Sequence, residues 1–273
     1  MLPSLRRLLY PRSAVARRPE IPDALWLDQL QAMPWLRLDE TERGALRDAC
    51  AGFLGGKSIT GAAGLEITTA MQLHIAAQAC VPILRLGLHW YRGWSGIVVY
   101  PATFRVRRVV PDADGLVQEV DAELAGEAWD GGPVVLSWAD ASGDAPFGGN
   151  VVIHEFAHKI DLLDGEPDGI PPFDARLHAG LDRATWAQTL EDAYERFCAE
   201  LDLVDAAIPP DVDPESAAAE PYYAHLPLDP YAGTDPGEFF AVSSEAFFLR
   251  PAPLAAAFPA WHDLLQRFYR PGA

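Results

Sequence analysis

The alternation of hydrophobic and polar positions changes period twice along the chain. Residues 19–90 carry a helical pattern. Within it, Asp39 and Glu42 make a capping box, and Gly55-Gly56 closes the helix that the box opens. Thr68 or Thr69 opens a second apolar run through Met71, Leu73, Ile75 and Ala76 to Cys80, and Pro82 kinks or restarts it. The pattern then turns β-rich. Ile97-Val98-Val99-Tyr100 and Phe104–Val110 predict strands around Pro101, Leu116–Val120 a weaker strand, and Pro133–Trp138 a strong one. A polar, glycine-rich loop, Ala139–Asn150, follows.

From Val151 the helical period returns. Val152, Ile153, Phe156, Ala157, Ile160 and Leu163 share one face, and Asp164-Gly165 stops the helix. Residues 166–180 form a Pro/Gly/Asp-rich loop, and Ala184–Leu203 reads as a helix. Pro209–Tyr231 is long for a loop in a compact domain, which predicts a functional or mobile segment. Asp235-Pro236-Gly237-Glu238 opens a nearly all-apolar helix to Leu249, and Trp261 to Tyr269 forms an aromatic last helix. The expected fold is α+β, predominantly helical with a small sheet. Residues 19–273 are expected to form one domain, with helices and sheet to about 165 and a helical lobe over 166–273. The helix at 151–164 would lie between them.

Composition adds little to this picture, but charge does. At 49% hydrophobic and 22% charged residues, the 273-residue chain can bury an ordinary core. Net charge is -18. Arg6, Arg7, Arg12, Arg17 and Arg18 sit without an acid in residues 1–18, so the rest sets 39 acids against 16 bases. A body this acidic repels phosphate backbones, which argues against direct nucleic-acid binding. The basic start reads as a flexible, solvated leader. Cys50, Cys80 and Cys198 are far apart and form no Cys-x-x-Cys, which argues against both a disulfide framework and a thiolate zinc site. No run of about 18 apolar residues exists, and the first 18 residues lack the apolar core of a secretion signal. The predicted location is the cytoplasm.

His154-Glu155-Phe156-Ala157-His158 carries the chemistry. Residues four apart on a helix are neighbours on one face, about 5–6 Å between Cβ atoms, so two imidazoles can reach one Zn²⁺. Glu155, about 100° round the helix, can reach the metal's water without occupying a coordination position. A metzincin needs Gly and His where this chain has Asp161 and Asp164, so that class is excluded. A carboxylate from a later helix is the alternative third ligand. Glu238 and Glu245 share a helix face but differ by about 10.5 Å in height, so they cannot both bind one zinc. Glu238 also fits the acid of a capping box opened by Asp235. Glu245, among Val242, Ala246, Phe247 and Phe248, wants a partner such as the ring N–H of a ligating histidine. Asp164, near the end of the metal helix, is a weaker candidate.

Two blocks taken together carry a family likeness. Val-Ile-His154-Glu155-Phe-Ala-His158-Lys-Ile-Asp161 and Tyr231-Ala-Gly-Thr-Asp-Pro-Gly-Glu238-Phe-Phe-Ala-Val-Ser-Ser-Glu245 resemble the Mlc titration factor A family of bacterial zinc peptidases. Tyr100-Pro101-Ala102-x-Phe104 and Gly132-Pro133-x-Val135-Leu136-x-Trp138 extend the likeness over nearly the whole chain outside the leader. The second block also resembles the catalytic domain of anthrax lethal factor. The resemblance implies a zincin-like domain with His154, His158 and Glu238 as zinc ligands, Glu155 as general base and Tyr231 as transition-state donor. Without it, Tyr222 and Tyr223 would compete with Tyr231. It also implies capture of the Mlc repressor, which controls sugar-uptake genes. The expected function is peptide-bond hydrolysis on a peptide or protein substrate. A non-catalytic titrating protein with a structural or regulatory zinc is the alternative, and a zinc hydrolase of other amides or esters would use the same atoms. Pro133–Trp138 reads either as an edge strand that pairs an extended substrate or as an ordinary core strand.

Overall fold

The computed structural model describes residues 18–111, 117–124, 126–128, 131–143, 149–214 and 216–271; for Phe104–Pro111, Val117–Leu124 and Glu127 it describes the backbone alone. The arginine-rich leader to residue 17, Leu116, and residues 144–148 of the glycine-rich loop lie outside the described residues. The fold is α+β and predominantly helical, as the pattern predicts.

Helices α1 (Asp23–Gln31), α2 (Glu40–Gly56) and α3 (Thr69–Cys80) open the chain. Asp39 accepts from the Glu42 N–H while the Glu42 carboxylate returns to the Asp39 N–H, so α2 begins on the expected capping box. Thr68 caps α3. Leu46, Cys50 and Phe53 point from α2 into the core, and α3 is buried along most of its length.

A four-stranded sheet follows in the order β1 (Ser58–Gly61), β2 (Gly96–Tyr100), β6 (Val134–Ser137), β5 (Gly126–Ala128). β1, β2 and β6 run parallel, and β5 pairs antiparallel with β6. β3 (Phe104–Pro111) and β4 (Val117–Leu124) form a separate antiparallel ribbon. Three sequence expectations change here. Ser58–Gly61 is a strand within the stretch expected to be helical, because its backbone partners lie in β2 and not in its own turn of chain. Pro133–Trp138 is not an edge: β6 is enclosed by β2 and β5, and Trp138 already opens the short helix α4 (Trp138–Ser142), capped by Ser137, within the expected loop. The edge on that side of the sheet is the unforeseen three-residue β5.

The second half is helical. α5 (Val151–Asp161) is followed by a 3-10 turn, Leu162–Asp164, that ends on Gly165 at φ 107°, where a side chain would be strained. Then come α6 (Arg183–Asp205), α7 (Glu220–Tyr223), a 3-10 turn at Pro230–Gly233, α8 (Pro236–Leu249), α9 (Pro251–Ala257) and α10 (Pro259–Tyr269). The segment 209–231, expected as one long loop, thus holds two short helical pieces, and α9 was not foreseen. Aromatic rings bind this half together. Trp186 of α6 stands edge-on to Trp261 of α10 at 4.9 Å, with Phe240 of α8 against both.

α5 lies against both sets of elements. Its Phe156 packs among Phe53, Tyr91 and Trp94, with ring centroids 5.0–5.6 Å away. Two residues along a helix is a rotation of about 200°, so anchoring Phe156 and Ile160 in the core turns His154 and His158 the other way, toward α8.

Candidate metal centre

The metal helix starts where Asn150 can cap it: the side-chain oxygen accepts from the Ile153 N–H at 2.9 Å. α8 starts in the same manner on Asp235, which accepts from the Glu238 N–H at 2.9 Å. Pro236 occupies the first turn, where its missing N–H costs nothing. Because Asp235 supplies the cap, the Glu238 carboxylate is spared and extends toward α5. The cap takes the Glu238 N–H and leaves its carboxylate to the two histidines.

Three donor atoms converge. Nε2 of His154 and Nε2 of His158 are 3.1 Å apart, and Glu238 Oε2 lies 3.0 Å from the first and 3.1 Å from the second. His154, His158 and Glu238 are the group among the described residues whose ligand atoms cluster tightly enough to hold a metal ion. The donor set fits Zn²⁺. Two imidazole nitrogens and a carboxylate oxygen are ordinary zinc ligands, and three such atoms around one ion fall about this far apart at bond lengths near 2.0–2.2 Å.

Glu245 sits two turns below Glu238 on the same face of α8. Its Oε1 accepts from Nδ1 of His154 at 2.8 Å, which puts the ring proton on Nδ1 and leaves the Nε2 lone pair free to ligate. The two glutamates therefore bracket one histidine from opposite ends of its ring. The electrostatics agree. Burial opposes a charge on His154, but hydrogen bonds to Glu238 and Glu245 outweigh it and raise the ring's proton affinity well above the ordinary value. Burial also disfavours the Glu238 anion, yet the two histidines hold its carboxyl far below the usual range. This pocket attracts positive charge.

Glu155 lies beside the cluster, 4% exposed. Burial pushes its pKa up to about 7, opposed by the two histidines. Its Oε2 has no hydrogen-bond partner among the described residues. The carboxylate rests against Gly126 of β5, where a Cβ would come within 2.7 Å of Glu155 Cγ. Only a glycine lets the edge strand pass this close. Tyr231 stands at the mouth, 46% exposed. Its ring centroid is 6.0 Å from that of His154, and its hydroxyl donates to Glu238 Oε1 at 3.3 Å. Asp229 accepts from the Tyr231 N–H at 2.9 Å and holds the turn. Tyr223 is committed elsewhere, donating to Asp205 at 2.8 Å.

All five residues singled out from the sequence, His154, Glu155, His158, Tyr231 and Glu238, thus meet in one place. Asp164 does not; it pairs with Arg183 at 3.1 Å. The sequence did not point to Gly126, Asp229 or Asn150. Asn150 carried a visible signal, a capping residue directly before the apolar run. Gly126 and Asp229 carried none, because their neighbours come from distant chain.

A family model described as glucose-regulated metallo-peptidase M90 matches residues 7–270. The Mlc titration factor A of Klebsiella pneumoniae subsp. pneumoniae is 37% identical over 246 residues, covering 89% of this chain and 84% of the relative. That of Serratia proteamaculans is 38% identical over 250 residues, 90% of this chain and 87% of the relative. That of Salmonella arizonae is 35% identical over 250 residues, 91% of each.

Proposed function

Because the chain belongs to the glucose-regulated metallo-peptidase M90 family, we propose that it is a zinc-dependent peptidase. His154, His158 and Glu238 hold the metal, Glu155 is the general base and Tyr231 the transition-state donor. The observation that carries this reading is the convergence of three ligand atoms within 3.0–3.1 Å of one another, with a buried, half-unpartnered carboxylate beside them.

Zinc bound there supplies a Lewis acid and a water acidified toward neutrality. Glu155, whose burial favours the protonated form, would accept a proton from the attacking water and return it to the leaving amine. The Tyr231 hydroxyl, which donates to Glu238 Oε1 at the mouth, would turn to the developing oxyanion. Substrate backbone has a place to pair. β5 bonds to β6 along one edge, and its other edge adjoins no strand among the described residues. An extended peptide added there runs past Glu155 at Gly126. β5 thus takes the part that the sequence offered to Pro133–Trp138.

The test is Glu155→Gln. The variant keeps all three ligands and therefore its zinc, while peptide hydrolysis falls by about 10²–10⁴-fold. Turnover near the wild-type rate would end the assignment.

The relatives' name, Mlc titration factor A, favours a second activity, capture of an Mlc-type repressor. We place both activities in one cytoplasmic domain. Among the described residues no helix is long and apolar enough to cross a membrane. The Glu155→Gln protein separates the two, since it should still retain the repressor in a pull-down. Loss of capture with the fold intact would mean that repressor and substrate share one site.

A further inference from the structure

Behind His154 a line of buried polar groups continues past Glu245. Oε2 of Glu245 accepts from the backbone N–H of Asn150. The Asn150 side-chain amide donates to Oε1 of Gln78, on α3. Nε2 of Gln78 faces two backbone carbonyls, those of His74 and Ala141, each at 3.3 Å. Gln78 is 2% exposed, in the last turn of α3 between Ala77 and Ala79.

The order of donors and acceptors along this line is forced. Two carbonyls can only accept, so the NH₂ end of Gln78 must face them and its oxygen must face Asn150. Asn150 must then present NH₂ to Gln78, which leaves its oxygen for the Ile153 N–H at the start of α5. The Asn150 backbone N–H donates to Glu245, whose other oxygen holds the Nδ1 of His154, and the two side-chain bonds fix the residue in the position from which it does so. Every polar group of Asn150 is in use: its side-chain and backbone oxygens hold the first turn of α5, its side-chain amide holds α3, and its backbone N–H holds α8. A residue needed only to cap α5 would not require an amide here, because Asp and Ser cap as well as Asn.

We propose that Asn150 and Gln78 are positioning residues for the metal ligand His154, acting through Glu245. This rests on the metal reading above and deepens it, by assigning the orientation of one ligand to a hydrogen-bonded line that reaches α3.

Asn150→Asp tests it in the full-length protein, with Zn²⁺ affinity read by competition against a chromogenic chelator. The substitution preserves shape and cap but sets a carboxylate oxygen against the Gln78 oxygen. We expect zinc affinity, measured on the folded protein well below its melting temperature, to fall by about 10–100-fold, the size of effect usual for an outer partner of a ligand. Asn150→Ser keeps a capping oxygen without the charge and should weaken zinc in the same direction. In a Gln78→Met background, Asn150→Asp should cost much less than it does alone, since the opposed oxygen is gone. Unchanged zinc affinity in both Asn150 variants overturns the proposal and leaves the metal reading standing. A wild-type chain that binds no zinc overturns both.

Discussion

Glu238 and Glu245 show how far one residue type can be divided by its surroundings. Both are glutamates on one face of α8, and both touch the ring of His154, one at Nε2 and the other at Nδ1. Ligation demands an anionic oxygen at about 2.0–2.2 Å, and a neutral amide meets that demand poorly. Accepting a hydrogen bond from Nδ1–H is less demanding, because an amide oxygen also accepts one. Zinc affinity should therefore drop further for Glu238→Gln than for Glu245→Gln, in which about a 10–100-fold loss is expected. The cap of α8 survives both changes, since Asp235 provides it. The opposite order of losses, measured by chelator competition, would move the third ligand to Glu245. At this scale the sequence was informative wherever spacing is local. A pair of histidines four apart and an acid between them can be read directly from the letters. Gln78 could not be found that way: it sits among alanines in an apolar run, and its partner Asn150 lies 72 positions away.

Elements are placed by short connections as much as by their own faces. Asp161, at the end of α5, is fully buried, and its Oδ2 accepts from the Gly169 N–H at 2.8 Å. That bond pulls the loop after α5 back over the first turn of α8, where a Cβ on Gly169 would come 3.2 Å from the Pro236 carbonyl carbon and one on Gly237 3.2 Å from that of Pro167. The loop is thus held against the turn of α8 that carries Glu238. This contact has a pH dependence. Burial raises the Asp161 pKa from 3.8 to about 8, only partly opposed by the Gly169 bond. Between those values the unfolded chain has given up the proton and the folded one keeps it, so folding takes up a proton and stability declines as pH rises from about 4 to about 8. Asp161→Asn retains an acceptor for Gly169 and does not titrate. Its melting temperature should gain on the wild type steadily across that range, and parallel curves would show that Asp161 is ionised in the fold. Elements were legible where caps and periodicity agree, as in α2, α5 and α8. β1 and β5 were not, because strands of four and three residues are defined by a partner and not by their own pattern.

For the molecule as a whole, the α+β class and the helical majority followed from the changes of period, and family membership from two blocks far apart in the chain. What the letters lacked was adjacency: which strand is the edge, and which loop lies over which helix. We expect the holoprotein to unfold in one transition, because α5 packs on the sheet side and on α8 at once. Zinc at 100 times its dissociation constant adds about 2.7 kcal/mol. Stripping it should then lower the melting temperature by roughly 5–10 °C for a chain of this size. Two separate transitions, with only the later one sensitive to chelator, would show instead that the halves fold independently.

Glu238 follows His158 by 80 positions, and an ion held by both is a cross-link across that span. Like a disulfide, such a link closes a loop and removes freedom from the unfolded chain, by more when the loop is long. It also sets an order of events during synthesis. When α5 has left the ribosome, both histidines and the base are present, yet the coordination sphere lacks its carboxylate. No product ending between 165 and 235 has Glu238 to complete it. On the proposed reading, a chain that stops short of α8 carries the His-Glu-x-x-His turn without Glu238, so the three-ligand site waits for that helix.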